Sequence, residues 1–249
     1  MSVLSDSLNM IRSTKTEKII IALSGGKDSI LTLDLCAQVF PPENIECFFM
    51  YFVKHLDCID RVLNYLVDRY KVKLHYVPHF LLANFYKHGV YRPKVISLMD
   101  TADTRIQDIK TYIRDLTGIE WMAFGLKKCD GIHRALQLKG HEVDFKMKTV
   151  YPIANWKHYE VVNYLKMIKM IELPVFTTKK NKLKAMTEAA PTLESALCLK
   201  QLYPSDYQKM LEKFPFLEAA VKREEFKEER NRDNIREPEF IQEIEVSEI

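Results

Sequence analysis

The sequence predicts an α/β protein: a doubly wound, Rossmann-like parallel sheet of five strands with helices on both faces, followed by a C-terminal helical extension. Three observations predict it. Short Ile-, Val- and Phe-rich runs alternate with longer stretches of helical apolar spacing, the order of repeated strand–helix–strand units. The runs are apolar without alternation, as strands covered on both faces are. The one adjacent glycine pair in the chain, Gly25-Gly26, falls between the first such run and the helix after it.

Residues 3 to 14 read as a short amphipathic helix, and Lys18 to Leu23 (KIIIAL) as a buried strand. A helix then carries Ile30, Leu31, Leu33, Leu35, Ala37 and Val39 until Pro41 and Pro42 stop it. Ile45 to Val53 fits a second strand, and Leu56 to Tyr70 a helix with Ile59, Val62, Leu63, Leu66 and Val67 on one face. Val72 to Val77 is a third strand, closed by Pro78. Residues 79 to 88 read as helical and 89 to 103 as a loop. Thr104 to Leu116 is a helix stopped by Gly118, and Glu120 to Phe124 a fourth strand ended by Gly125. A helix over 130 to 139, a fifth strand over Lys148 to Ile153 and an amphipathic helix over Lys157 to Met170 complete the series. From Leu193 onward, Pro204 and Pro215 divide helical spacing into short helices, and the last ~20 residues read as a frayed helix or tail.

The 249 residues are 47% hydrophobic and 29% charged, which fits a globular chain and excludes wholesale disorder. The longest apolar run, Cys47 to Val53, is far shorter than the ~20 residues of a membrane-spanning helix, and no signal-peptide core is present at the N-terminus. Five scattered cysteines without a Cys-x-x-Cys pair point to a reducing cytoplasm and against a disulfide framework or a four-thiolate zinc site. Each reads as a small buried hydrophobe. Net charge is +3, but residues 222 to 249 carry six Lys/Arg against ten Asp/Glu, so the body before them is +7. A basic body suits a polyanionic ligand, nucleotide or nucleic acid.

The segment Ser24-Gly25-Gly26-Lys27-Asp28-Ser29 carries the chemistry. Paired glycines allow unusual dihedrals and close approach of a ligand to the backbone. The following helix points its free N–H groups and positive dipole end into the loop, which makes an anion site. Lys27 adds a point charge, Ser24 and Ser29 add hydroxyls, and Asp28 is a candidate Mg²⁺ ligand between phosphates. The pattern is neither a Walker A loop nor G-x-G-x-x-G. Gly125 ends a strand at the carboxyl edge of the sheet, where α/β ligand crevices lie. Lys127 and Arg134, seven apart on an expected helix, would share a face toward phosphate or sulfate. Trp156 and Tyr151 are core or crevice aromatics, His55 or the backbone beside it is a candidate ligand neighbour, and His133, His141 and His158 lack ligand spacing and read as structural or surface residues.

SGGKDS resembles the PP-loop of the adenine-nucleotide α-hydrolase-like (HUP-type) superfamily. The stretch from Gly125 to Arg134 (GLKKCDGIHR) is similar to the G-x-R-x-x-E-S-x-x-R segment of the branch resembling phosphoadenosine phosphosulfate (PAPS) reductases, with Lys127, Asp130 and Gly131 departing from it. Tyr151-Pro152 through Trp156, Tyr164-Leu165 and Leu173-Pro174 resemble that branch's later motifs, and the segment around Tyr203 to Tyr207 is similar to phage-type members. The resemblance implies an adenine nucleotide (ATP or PAPS) with Mg²⁺, held by Ser24, Gly25, Gly26, Lys27, Asp28, Ser29 and Gly125, with Lys27, Lys127 and Arg134 catalytic. The E-C-G-[IL]-H nucleophile motif of sulfonucleotide reductases is absent. The late Cys198, flanked by leucines, reads as buried and unreactive. The expected cofactors therefore include no iron–sulfur cluster and no zinc.

Three functions remain open. ATP is cleaved between its α- and β-phosphates to adenylate an acceptor, or a sulfonucleotide is reduced. In the third, the chain is a nucleotide-binding module acting with a protein partner in nucleic-acid metabolism. Homodimerisation and nucleic-acid contact fit the charge layout. The expected division is a nucleotide-binding domain over 1–190, a helical extension over 191–236 and an acidic tail over 237–249.

Overall fold

The computed structural model describes residues 2–171, 173 and 189–236, with side chains through residue 231. The expected acidic tail over 237–249 and the Pro174 end of the last motif lie outside the described residues. Six strands form one sheet in the order β3-β2-β1-β4-β6-β5. They are β1 Ile19–Ala22, β2 Ile45–Tyr51, β3 Lys73–Pro78, β4 Met122–Ala123, β5 Val143–Asp144 and β6 Thr149–Val150. All neighbours pair in parallel except β5, which runs antiparallel to β6 at the edge. The sixth strand is the departure from the expected five. At two residues it is too short to leave a periodic signature, and only its pairing Val143 to Val150 reveals it.

The unbroken apolar run of β1 has a direct cause. Ile19 and Ile21 enter the main core, while Ile20 enters a second core on the other sheet face with Phe48, Val77, Ile109, Ile113, Ile119 and Met122. Each such fully buried aliphatic side chain contributes about 1.5–3 kcal/mol relative to exposure. The helices are α1 Val3–Ser13, α2 Lys27–Ala37, α3 Asp57–Tyr70, α4 Phe80–His88, α5 Ile106–Thr117, α6 Ile132–Leu138, α7 His158–Met167, α8 Leu193–Leu202, α9 Pro204–Lys213 and α10 Leu217–Arg236. Ile109 and Ile113 bring α5 to the second core. Cys58, Ile59, Val62, Leu63 and Leu66 bury the inner face of α3 in the main one.

Polar ties fasten the helical layer. Asp34 on α2 accepts from Tyr70 of α3 and Tyr164 of α7, both at 2.7 Å. Leu56, the N-cap of α3, offers no side-chain cap. The buried Asp206 of α9 replaces it, accepting from the backbone N–H groups of Asp57 at 2.7 Å and Cys58 at 2.9 Å. Met210, Phe214, Leu217 and Val221 join the same core as β1. No described helix is long and apolar enough to cross a membrane.

Candidate functional site

After β3 the chain returns to the opposite side of β1, so β1 and β4 flank the point where strand order reverses. Ligand crevices of open α/β sheets lie at the carboxyl edge of such a point. The segment 24–29 follows β1 and Gly125 follows β4, so both border it.

Gly25 adopts φ 76°, the left-handed region that a side chain disfavours. Gly26 is the N-cap of α2 and supplies no side-chain cap, which leaves first-turn N–H groups available to an anion. The two serine hydroxyls brace the turn. Ser24 Oγ donates to Ser29 Oγ at 3.1 Å, and Ser29 Oγ donates to the Gly26 carbonyl at 2.9 Å. Gly125 is forced by its neighbours: a Cβ there would stand 2.8 Å from the backbone C and O of Asp28 and 2.9 Å from Ser29 N. The absence of a side chain lets the strand-end backbone lie directly on the phosphate-type loop.

Five side chains of alternating charge type run from this loop to α7. Lys27 Nζ lies 2.7 Å from Asp28 Oδ2, and Lys127 Nζ lies 2.7 Å from Asp28 Oδ1. Lys127 Nζ is also 3.0 Å from Asp130 Oδ1, which stands 3.7 Å from His158 Nε2. Lys127 is 0% exposed. Its contact with Asp28 is one of charge rather than an aligned hydrogen bond. Asp130 also accepts from the Lys127 backbone N–H at 3.2 Å.

The expectation that Lys127 and Arg134 share a helix face is corrected. Lys127 has extended backbone before a short 3₁₀ turn over Lys128–Asp130, and α6 starts only at Ile132. The wide φ of Gly131, 152°, separates the two. Lys127 therefore points inward to Asp28, whereas Arg134 is exposed and bonds Gln137 at 3.0 Å.

A crevice of about 510 Å³ opens here, within the ~300–1,000 Å³ range of small-molecule sites. Ser24, Gly26, Asp28 and Ser29 line one side, with Gly125, Asp130 and Arg134 beside them, and Met50, Phe80 and Phe124 supply apolar wall. Gly25, Lys27 and Lys127 are not among the lining residues. Of the aromatics read as core or crevice, Tyr151 lines the crevice. Trp156 is core, its Nε1–H donating 2.8 Å to Ser7 Oγ. His55 does not line it and bonds Asp60 instead at 2.9 Å.

Two lining features escape sequence reasoning. Lys110 of α5 sets its ammonium 4.5 Å from the Phe124 ring centre, and burial, with Arg114 nearby, holds its pKa below the usual lysine value. His79 stacks between Phe52 at 4.2 Å and Phe80 at 4.4 Å, and its Nδ1 accepts the Leu81 N–H at 3.1 Å. Neither has a sequence signature. Lys110 is one charge among many on an amphipathic helix, and only the topology brings it to the crevice.

The phosphoadenosine phosphosulfate reductase domain model matches residues 18–183, from β1 through α7 and beyond. The chain belongs to that family. The segment 24–29, whose sequence resembles a PP-loop, lies within the matched residues. No curated protein matches the chain. Among solved structures it is similar to an NH3-dependent NAD synthetase from Campylobacter jejuni in complex with nitrate (15% identity, 91% of this chain and 96% of that one, TM-score 0.47). It is also similar to the U34-tRNA thiolase from Methanococcus maripaludis with its [4Fe-4S] cluster (16% identity, 87% and 79%, TM-score 0.47).

Within this PAPS reductase-like chain the cysteines behave unequally. Cys36, Cys47, Cys58 and Cys198 are buried, and Cys129 is exposed, against the expectation of five buried thiols. Burial pushes the Cys198 thiol above its ordinary pKa, with Glu194 adding to the effect. The expectation of no iron–sulfur cluster is also corrected. Cys129, Asp130 and His158 each offer a possible metal-ligand atom within 4.8 Å of the other two. His158, read as a structural or surface residue, is brought to the cysteine across 29 residues by the packing of α7.

Proposed function

We propose that this PAPS reductase-like chain binds ATP and cleaves it between the α- and β-phosphates, adenylating an acceptor and releasing pyrophosphate. The observation that carries the reading is the pairing, in one crevice, of a PP-loop with an apolar wall of Met50, Phe80 and Phe124. Phosphates belong on the free N–H groups of the first turn of α2, and a purine ring belongs against the apolar side.

A nucleophilic oxygen of the acceptor forms a bond to the α-phosphorus. The bond from that phosphorus to the oxygen bridging the β-phosphate breaks, and its electron pair leaves with pyrophosphate. Lys27 swings from Asp28 to phosphate, and Arg134 meets charge from the open side, so the chain contributes positioning and neutralisation. Lys127, fully buried and paired, holds Asp28 in place from behind. Asp28 and Asp130 offer the hard oxygens that Mg²⁺ prefers. Mg²⁺, when bound, would reduce the charge that repels a nucleophile from the phosphates.

The deeply buried Cys198 weighs against thiol-dependent reduction of a sulfonucleotide at this site. A thermal-shift panel of ATP, AMP, adenylyl sulfate and PAPS with Mg²⁺ tests the ligand, and pyrophosphate release on addition of ATP tests the reaction. A ligand at 100 times its Kd adds about 2.7 kcal/mol. Absence of an ATP shift, or sulfite release from PAPS with a thiol donor, overturns the reading.

A further inference from the structure

Cys129 and His158 lie outside the phosphate-binding loop and have no part in the reaction proposed above, while Asp130 faces both them and the crevice. Cys129 and Asp130 belong to the 3₁₀ turn Lys128–Asp130, and His158 is the first residue of α7. Their ligand atoms lie within 4.8 Å of one another. We infer that these three side chains form a binding site for a single borderline divalent cation of the zinc class at the rim of the crevice.

The donor set identifies the class. One sulfur, one imidazole nitrogen and one carboxylate oxygen suit zinc and its tetrahedral surrogate cobalt, whereas Mg²⁺ prefers oxygen alone. An ion about 2.3 Å from sulfur and about 2.0–2.1 Å from nitrogen needs those donors about 3.6 Å apart. His158 Nε2 and Asp130 Oδ1 already stand 3.7 Å apart. The widest separation in the trio, at most 4.8 Å, closes by roughly an ångström. The Cys129 residue is exposed, and the side chains of Asp130 and His158 keep 29% and 43% exposure, so an ion can reach the trio from solvent.

Charge balances as well. A thiolate and a carboxylate together offset a dication, and the thiol proton leaves to solvent as the ion binds. Cys129 Sγ now contacts the Trp156 carbonyl at 3.2 Å, so metal and carbonyl compete for it. Three protein donors leave one tetrahedral position for water or an anion, the arrangement of an exchangeable rather than a closed structural site. Asp130 lines the crevice and also faces Lys127 Nζ, so the ion would adjoin the nucleotide site without lying in the PP-loop.

The test is a Co²⁺ titration of the full chain under reducing conditions, followed by Zn²⁺ displacement and metal analysis after desalting. One equivalent of Co²⁺ should bind with thiolate-to-cobalt absorption, and Zn²⁺ should abolish the signal while excess Mg²⁺ leaves it. The other four cysteines are buried, so the absorption reports Cys129. Cys129→Ser should lose the thiolate band, and His158→Ala should weaken Co²⁺ by at least about tenfold, the loss that even an outer-shell change can cause. Both variants alter accessible side chains, and circular dichroism checks their fold. Cobalt binding without a thiolate band, or wild-type affinity in both variants, overturns the site.

Discussion

The Lys127 ammonium lies 2.7 Å from the Asp28 carboxylate while no part of the Lys127 side chain reaches solvent. A strand-end segment is thereby locked by charge to the first turn of α2. Breaking a buried pair from one side costs about 3–5 kcal/mol when the remaining charge is fully desolvated. Asp28 and Asp130 keep 24% and 29% exposure, which lowers the expected cost of Lys127→Met to about 2 kcal/mol. Adding Asp28→Asn to that variant should recover part of the loss. Urea unfolding of the two single variants and the double one measures the coupling, and a Lys127→Met cost under about 0.5 kcal/mol would contradict it.

Lys27→Ala should behave differently. Asp28 keeps Lys127 when Lys27 is removed, so the free protein should melt within a degree or two of wild type. The ATP-induced shift should shrink strongly, because the mobile charge for phosphate is gone. Equal ATP shifts in the two proteins would remove Lys27 from the site.

Gly125→Ala places a methyl group 2.8 Å from the Asp28 carbonyl oxygen, a contact with backbone that cannot swing away. Overpacking of this kind costs about 1–3 kcal/mol. The displaced atoms belong to the PP-loop, so nucleotide binding should fall together with stability. A variant that melts and binds ATP like wild type would show that the loop relaxes freely.

Cys198→Ser should leave any nucleotide-dependent turnover intact. The residue is 2% exposed, and its thiol is held above the usual pKa by burial. In the folded, metal-free protein an alkylating reagent should modify Cys129 first, and mass mapping decides this. Loss of turnover in a folded Cys198→Ser variant would restore the reductase reading.

The Asp206 cap should give a signature in acid. Burial alone would raise its pKa, but the N–H groups of Cys58 and Asp57, the Cys58 thiol and Lys209 outweigh burial and hold it below the usual aspartate value. A carboxylate depressed in the folded state contributes stability that is complete above its unfolded pKa. That stability is lost as pH falls through the lower folded value. Asp206→Asn should cost about 1–2 kcal/mol near neutral pH, and the gap to wild type should narrow only in the acid range below ordinary aspartate titration. A gap independent of pH down to that range would assign the cost to packing.

Much of this was legible in the sequence, for identifiable reasons. Ile19 to Ile21 are apolar in succession because both sheet faces are covered, and Gly25-Gly26 announce the PP-loop because that turn needs φ 76° and close approach. The placement of Gly125 at a strand end was legible too. Lys127 was not, because a seven-residue spacing to Arg134 implies one helix face only if a helix spans both, and Gly131 at φ 152° interrupts it. The exposure of Cys129 and its meeting with His158 depend on where α7 docks, and no local pattern encodes a contact across 29 residues. The antiparallel β5 edge is two residues of pairing, decided by its neighbour β6.

The trans cap of α3 also sets an order of events during synthesis. The N–H of Asp57 waits for a carboxylate 149 residues further along the chain. At about 5–20 residues per second, roughly 7 to 30 s pass before Asp206 is made. Throughout that interval the newborn α3 has water at its first turn, and its apolar face with Ile59, Val62, Leu63 and Leu66 and the Tyr70–Asp34 bond hold it in place. Nascent chains stalled before residue 206 should therefore exchange the Asp57 and Cys58 amides freely, and chains stalled once α9 has cleared the exit tunnel should protect them. α9 thus completes a helix begun 149 residues earlier in the chain.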